Sequence, residues 1–139
     1  MAKLIAELCQ NHNGEINILE EMVAAAAESG ADYAKIQSID SEELSFRERF
    51  ENGLKEGGRT RVIKRPYKNE YERLKKLDLD EETQINFHNL CKKYNVEPMT
   101  TIFTRSKINL VNQMKLKCIK ISSFDCASFK LIDDLKKIN

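Results

Sequence analysis

The stretch INILEEMVAAAAESGADYAKIQ, residues 16–37, decides the fold because its apolar period changes from helical to extended within a few residues. Residues 16–30 place apolar side chains at helical spacing, and Gly30 stands where a glycine commonly ends a helix. Residues 32–37 read as a strand after a very short link, which is typical of alternating α/β folds. The stretch therefore predicts one helix–strand unit.

The same alternation extends in both directions along the chain. We predict further strands at residues 3–8, 97–103 and 118–123, and helices at about 80–94, 106–116 and 128–138. Asp80 and Ser106 suit the N-caps of two of these helices. The order (βα)4 implies an α/β protein with a parallel sheet and right-handed crossovers. Two layouts fit this order, a small doubly wound sheet and the first half of a (β/α)8 TIM barrel.

Residues 38–79 interrupt the alternation. They are polar, charged and irregular, and they include Gly57, Gly58 and Pro66. We predict a single partial barrel domain over residues 1–139, with strands one to four and an irregular insertion at about 38–79 that contains short helices near 41–55 and 69–76. Long loops within a compact domain are uncommon and often functional, so a lid and a solvated linker are both open interpretations.

The composition is that of an ordinary domain, with 41% hydrophobic residues, 32% charged residues and a formal net charge of +1. Because acids and bases are interleaved, we expect no nucleic-acid partner and no membrane partner. The short apolar run after Met1 predicts no secretory signal. The four cysteines form no CxxC pair, so we expect reduced thiols in a cytoplasmic protein and no zinc site.

Polar side chains end all four predicted strands, where α/β proteins bind their ligands. Lys35 and Gln37 are two residues apart and project to one face, and Lys120 lies between Ile119 and Ile121. A lysine within an apolar strand is costly to bury without an anionic partner. We therefore predict that two buried lysines, two hydroxyl-bearing strand ends and Arg105 bind a small anion, a phosphate or a carboxylate.

Hydroxyl groups and carboxylates complete this set of strand-end residues. Thr101 and Ser123 can orient an anion, while Glu7 and Asp125 can transfer protons or contact sugar hydroxyls. The alternative is that Glu7 and Asp125 form structural salt bridges with the lysines, and the residues alone leave both interpretations open. Before the first helix, Asn13-Gly14 predicts a turn, and a single histidine at His12 is a poor metal ligand set.

These strand ends, taken in order, resemble the N-terminal half of the barrel of the N-acetylneuraminate (sialic acid) synthase family, which includes the legionaminic and pseudaminic acid synthases. The resemblance covers nearly the whole chain outside residues 38–79. It rests on six motifs, which are IAE at 5–7, NHNG at 11–14, GAD at 30–32, KIQ at 35–37, TTIF at 100–103 and KISSFD at 120–125.

The resemblance implies an enzyme that condenses phosphoenolpyruvate with an N-acylhexosamine such as N-acetylmannosamine, with manganese or magnesium as divalent metal, and releases phosphate. It places Gln37 at the sugar, Asp125 at the acid/base position, and Glu7 near the metal and sugar end. The residues that it implies for phosphoenolpyruvate are Lys35, Thr101, Lys120 and Ser123.

The sequence departs from the family pattern at three points. Asp125 is one methylene shorter than the usual glutamate, and Ile102 stands where a proline is usual. The family's metal-binding histidines lie on later strands, so the resemblance supplies no metal ligand here, and we expect His88 to have a packing or surface role.

Three hypotheses follow from these observations. The first is a synthase whose activity is incomplete in this chain. The second is a non-catalytic half-barrel that binds phosphoenolpyruvate or another anion, or that assembles with a complementing chain. The third is a small doubly wound binding or regulatory domain that is unrelated to sugars. Because a half-barrel has open edge strands, we also expect self-association.

Overall fold

A computed structural model describes residues 2–138, and helices alternate with strands along most of the chain. The strands are β1 (Ile5–Cys9), β2 (Tyr33–Ser38), β3 (Leu54–Glu56), β4 (Arg59–Val62), β5 (Glu97–Ile102) and β6 (Ile119–Lys120). The helices are α1 (Ile16–Glu28), α2 (Glu48–Asn52), α3 (Tyr67–Lys75), α4 (Glu81–Lys93), α5 (Ile108–Met114) and α6 (Phe129–Leu135).

Four of the strands form one parallel sheet in the order β1-β2-β5-β6. In this sheet each strand pairs with the next parallel strand along the chain. A doubly wound sheet instead reverses its strand order at a switch point, and the described strands contain no such reversal. The sequential order is that of consecutive strands of a (β/α)8 barrel, and it confirms the predicted barrel layout over the doubly wound one.

Pairing register assigns the strand residues to two faces of the sheet. Glu7 is the partner of Lys35, and Thr101 is the partner of both Gln37 and Lys120. Because alternate residues point to opposite faces and laterally paired residues share one, these five side chains project to a single face. We call it the polar face.

The opposite face of the sheet packs against helices. Its strand residues Ala34 and Ile36 are fully buried in a cluster that draws Leu19 and Val23 from α1 and Phe87 from α4. A smaller cluster joins the end of β5 to α5 and α6, and consists of Ile102, Val111 and Leu131. The apolar core therefore lies between the sheet and its helices, which leaves the polar face for other contacts.

Two helix ends form as the sequence predicts and one does not. Gly30 has a φ of +76° just after α1, and the Asp80 side chain accepts a hydrogen bond from the Thr83 N–H at 2.7 Å at the start of α4. The prediction of Ser106 as a cap is wrong, because the chain enters α5 through a 3₁₀ turn, Arg105–Lys107, without a side-chain cap.

The fourth strand of the sheet is much shorter than the predicted 118–123. β6 contains only Ile119 and Lys120, because the chain turns directly into a 3₁₀ helix, Ser123–Asp125. The Ser122 hydroxyl accepts a hydrogen bond from the Asp125 N–H at 3.1 Å and fixes this turn.

Residues 40–78 form a compact unit of their own, with α2, α3 and an antiparallel hairpin of β3 and β4. Gly57 and Gly58 form the hairpin loop, and both have positive φ, as a tight two-residue turn requires. Asp78 closes the unit by accepting hydrogen bonds from the backbone N–H and the hydroxyl of Ser41. The sequence pattern predicts short helices in this segment but not the hairpin.

Two further predictions concern membranes and thiols. No helix within residues 2–138 combines the length and the apolar character needed to cross a membrane. Cys9, Cys91, Cys118 and Cys126 are all free thiols. Burial raises the pKa of Cys91 to about 12, so this thiol packs in the core as a small apolar group.

The position of the core predicts that two phenylalanine-to-alanine substitutions lower the stability by different amounts. Phe87 is 0% exposed and Phe129 is 73% exposed. We expect Phe87→Ala to lower the free energy of unfolding by about 3–5 kcal/mol, and Phe129→Ala, the matched control, to change it by less than about 0.5 kcal/mol. Urea unfolding measures both values, and equal losses would contradict the assignment.

Candidate functional site

The Lys35 side chain is the centre of the polar face, and only 4% of the residue is exposed. Its Nζ lies 2.8 Å from Glu7 Oε2 and donates a hydrogen bond to Thr101 Oγ1 at 2.9 Å. A lysine ammonium carries three N–H donors, and these contacts, the only ones that the described residues supply, engage two of them. One donor is therefore left for an oxygen of a ligand.

A β-bulge positions the carboxylate of Glu7. The β1–β2 register passes from Glu7 to Cys9 with a shift, and Cys9 adopts a φ of +53°. This distortion allows the Cys9 N–H to donate to Glu7 Oε1 at 3.1 Å, while Oε2 contacts Lys35. The Glu7 side chain is 49% exposed and that of Lys35 is 6% exposed, so solvent and ligands reach this ion pair from the glutamate side.

The register places Gln37 and Lys120 on either side of Thr101 in one row across the sheet. Gln37 is half-buried, but Lys120 is exposed, and its Nζ donates to the Ile121 carbonyl at 3.0 Å. The prediction of a buried Lys120 is therefore wrong. The physical reason is that β6 is a two-residue edge strand, and no further strand in the described part of the chain covers its outer side.

Three predicted residues remain. Arg105 pairs with Asp134 of α6, and its Nε donates to Asp134 Oδ2 at 2.6 Å. The other two lie on the 3₁₀ helix after β6. Ser123 is exposed, while Asp125 is 5% exposed. The Asp125 carboxylate accepts hydrogen bonds from the Ser122 hydroxyl at 2.5 Å and from the Ser128 hydroxyl at 3.2 Å. Serine hydroxyls thus hold Asp125. Of the two lysine salt bridges considered from the sequence, the one with Glu7 forms and the one with Asp125 does not.

A buried network behind the polar face was missed by sequence reasoning. The Ser38 hydroxyl donates to Gln84 Oε1 at 2.5 Å and lies 2.8 Å from Thr100 Oγ1. Gln84 Nε2 in turn donates to the Leu79 carbonyl at 2.8 Å. All three side chains are at most 2% exposed.

The network fixes the ends of two strands relative to α4. Ser38 and Thr100 directly adjoin Gln37 and Thr101 in the sequence, on the opposite face of β2 and β5. Buried polar groups that satisfy one another confer rigidity. The signal in the sequence was two hydroxyl residues at helix-facing strand positions and a glutamine at a core position of α4.

His12 lies in the turn that follows β1 and is fully buried. Its Nδ1 accepts a hydrogen bond from the Gly14 N–H at 3.0 Å, and its carbonyl accepts one from the Glu15 N–H at 2.8 Å. Asn13 and Gly14 both have positive φ, so the predicted turn is confirmed. Burial lowers the pKa of His12, which favours the neutral ring that this hydrogen bond requires.

The Nε2 atom of His12 has no hydrogen-bond partner. Within residues 2–138, every other buried side-chain nitrogen or oxygen has one. Since Nδ1 accepts a hydrogen bond, the neutral ring carries its proton on Nε2.

The family resemblance implies a divalent metal. These residues do not provide an adequate set of ligands for it. Within residues 2–138, no group of three or more histidine, cysteine, aspartate or glutamate side chains is placed to hold a metal ion. Glu7 offers one carboxylate, and that carboxylate is engaged with Lys35. We therefore derive no chemical step through a metal.

Comparisons with known proteins agree on one family. A sequence model of the NeuB family matches residues 22–139. An N,N'-diacetyllegionaminic acid synthase from Legionella pneumophila is 33% identical, and the match covers 92% of this chain and 37% of that protein. The enzyme of the same name from Campylobacter jejuni is 27% identical, over 98% of this chain and 39% of its own length.

A solved structure has the same fold. The N-acetylneuraminic acid (sialic acid) synthetase of Leptospira borgpetersenii, determined in complex with citrate, superposes with a TM-score of 0.74 at 24% identity. The superposition covers 94% of this chain and 39% of that chain. The chain thus spans roughly two fifths of the length of the relatives that it matches.

The buried neutral His12 predicts a loss of stability at mildly acidic pH. As the pH falls below about 6.5, the ordinary pKa of histidine, the unfolded chain binds a proton that the folded chain does not. We expect the free energy of unfolding to decrease from pH 7.5 to pH 5.5, by at most about 1.4 kcal/mol per pH unit for each such group.

Urea unfolding at the two pH values tests this in His12→Gln, where the decrease should be smaller. Because burial lowers the pKa of His88 as well, His88→Gln should also reduce the decrease, and the double variant His12→Gln/His88→Gln should retain the least pH dependence. An unchanged pH dependence in His12→Gln would contradict the assignment of the effect to His12.

Proposed function

Because the chain belongs to the NeuB family, we propose that it carries the phosphoenolpyruvate-binding part of a nonulosonic acid synthase. The reaction joins phosphoenolpyruvate, an N-acylhexosamine and water into a nonulosonic acid, and releases phosphate. The observation that carries the proposal is the ion pair between the buried Lys35 ammonium and Glu7, whose half-exposed carboxylate a ligand oxygen can replace.

Lys35 recognises the anion by exchanging its partner. A buried ammonium needs an anionic partner in every state, and Glu7 fills that place when no ligand is bound. Because the Glu7 side chain is half exposed, a carboxylate or phosphate oxygen replaces its Oε2 without unpacking the core. Thr101 keeps its hydrogen bond to Nζ and thereby fixes where the ammonium points.

A second cation and a second hydroxyl complete the binding of phosphoenolpyruvate. Lys120, the register partner of Thr101, is exposed and supplies a second positive charge. Ser123 supplies a second hydroxyl from the start of the 3₁₀ helix. Two cations suit a substrate that carries both a carboxylate and a phosphate.

The proton-transfer and sugar-binding roles fall to three other residues. In the condensation, a bond forms between the methylene carbon of phosphoenolpyruvate and the aldehyde carbon of the sugar. Water then adds to the former enol carbon, and phosphate leaves. We assign acid/base catalysis to Asp125, sugar contact to Gln37, and the sugar end of the site to Glu7 once Lys35 has released it.

A second candidate function is a half-barrel that binds phosphoenolpyruvate without turnover, or that assembles with a complementing chain. The observation that favours assembly is the exposed apolar edge of the sheet, where Leu4 is 58% and Ile5 is 45% exposed. Such edges pair with other chains. Size-exclusion chromatography at increasing concentration tests whether the chain assembles, and a monomer at every concentration would contradict self-association.

Calorimetric titration with phosphoenolpyruvate tests the site. We expect Lys35→Met to weaken binding at least tenfold and Lys120→Ala to weaken it as well. We expect Glu7→Gln to strengthen binding several-fold, because the competing carboxylate is gone. Lys93→Met is the matched control, since Lys93 pairs with Glu20 on the helical side of the fold, and it should bind as the unmodified chain does.

Two outcomes of this titration would contradict the proposal. The first is unchanged affinity in Lys35→Met, and the second is loss of binding in Glu7→Gln. Incubation with phosphoenolpyruvate, N-acetylmannosamine and manganese then distinguishes the two candidate functions. Formation of a nonulosonic acid would support the synthase, whereas binding without product would support the half-barrel.

A further inference from the structure

A second polar cavity, of about 500 Å³, lies beside the start of β5. The Lys35 site contacts β5 at Thr101, towards the other end of that strand. The two sites therefore do not share residues. The volume falls in the range of small-molecule pockets, which is about 300–1,000 Å³. Its charged and titratable lining consists of His88, Lys92, Glu97, Lys115 and Lys117.

The charges of this cavity do not cancel. Lys117 Nζ lies 2.5 Å from Glu97 Oε1, so this lysine and the only carboxylate of the lining neutralise each other. Lys92 and Lys115 are left, and both are exposed. The side-chain amides of Asn95 and Gln113 add neutral donors to the same wall.

Helix ends explain part of this arrangement but not all of it. Lys92 lies in the last turn of α4 and Lys115 directly follows α5, and cations are favourable at helix C-termini. That effect places one lysine at each helix end separately. It does not require both to line a single cavity, which here results from the packing of α4 beside α5.

The pKa of His88 depends on the charge of the cavity. It is half-buried, and burial together with the nearby Lys92 charge lowers its pKa. The ring is therefore neutral at pH 7, and the lining carries two uncompensated positive charges. A bound anion would offset the charge of Lys92 and would raise the pKa of His88.

We propose that this cavity binds a small dianionic phosphate ester, with Lys92 and Lys115 as its charge partners. A phosphate monoester carries about 1.5 to 2 negative charges at pH 7, which matches the two uncompensated lysines. The remaining volume beside Val96, Pro98 and Met114 accommodates the organic part. This site is separate from the phosphoenolpyruvate site, and its existence does not depend on the proposed function.

Proton NMR of the 139-residue chain tests this proposal, because the chain contains only two histidines. The probe is inorganic phosphate, titrated at constant ionic strength against sodium chloride. We expect the His88 ring signal to shift saturably and its pKa to rise, while the His12 ring signal stays in place and shows that the chain remains folded.

Charge-reversal variants test whether the His88 response to phosphate arises from binding in the cavity. Lys92→Glu and Lys115→Glu should each weaken phosphate binding at least tenfold, whereas Lys76→Glu, an exposed lysine elsewhere, should leave it unchanged. Lys35→Met should also leave the His88 response intact, which separates this site from the proposed phosphoenolpyruvate site.

Three results would overturn the proposal. The first is a His88 shift that does not saturate or that chloride reproduces. The second is a shift that persists in both Lys92→Glu and Lys115→Glu. The third is tighter binding of succinate than of phosphate, which would make the ligand class a dicarboxylate.

Discussion

The buried ammonium of Lys35 is the constraint on which the rest of the structure depends. An ammonium that is removed from water must keep an anionic partner and hydrogen-bond acceptors, or the strand that carries it cannot pack. The chain meets this requirement with Glu7 from one neighbouring strand and Thr101 from the other. The same contacts fix the lateral order of three strands and leave one donor free for a ligand.

The strands β2 and β5 carry two sets of polar side chains that alternate along the sequence. Because successive residues of a strand face opposite sides, the two sets lie on opposite faces of the sheet. Lys35, Gln37 and Thr101 face one side of the sheet, while Ser38 and Thr100 face the helices. The helix-side network is closed, because Ser38, Thr100 and Gln84 satisfy one another. The polar face is open, because Glu7 is half exposed and Lys120 is exposed. The closed network holds the strand ends rigid, whereas the open one leaves Glu7 and Lys120 in contact with solvent.

Local signals allowed much of the fold to be predicted from the sequence. The period of α1, the glycine at Gly30, the cap at Asp80 and the turn at Asn13-Gly14 each depend on a few neighbouring residues. The choice between a barrel and a doubly wound sheet could not be made in this way. It depends on which strands are neighbours, and that is a property of the tertiary structure.

The features that sequence reasoning missed depend on distant contacts. Lys120 has the same apolar flanks as Lys35, but it is exposed because β6 is short and lies at the edge of the sheet. Gln84 looks like an ordinary helix residue until Ser38 and Thr100 are brought against it. Glu7 and Asp125 looked equivalent as partners for lysines, yet serine hydroxyls hold Asp125 and only Glu7 pairs with a lysine.

The proposed function depends above all on the exchange, at Lys35, of the Glu7 carboxylate for an anionic ligand. A crystal structure of the chain with bound phosphoenolpyruvate tests this most directly, because it measures both distances at once. We expect a ligand oxygen within about 3.2 Å of Lys35 Nζ, with Glu7 Oε2 moved beyond hydrogen-bond distance and Thr101 Oγ1 still in place. A structure in which Glu7 and Lys35 stay paired while the ligand binds elsewhere would contradict it.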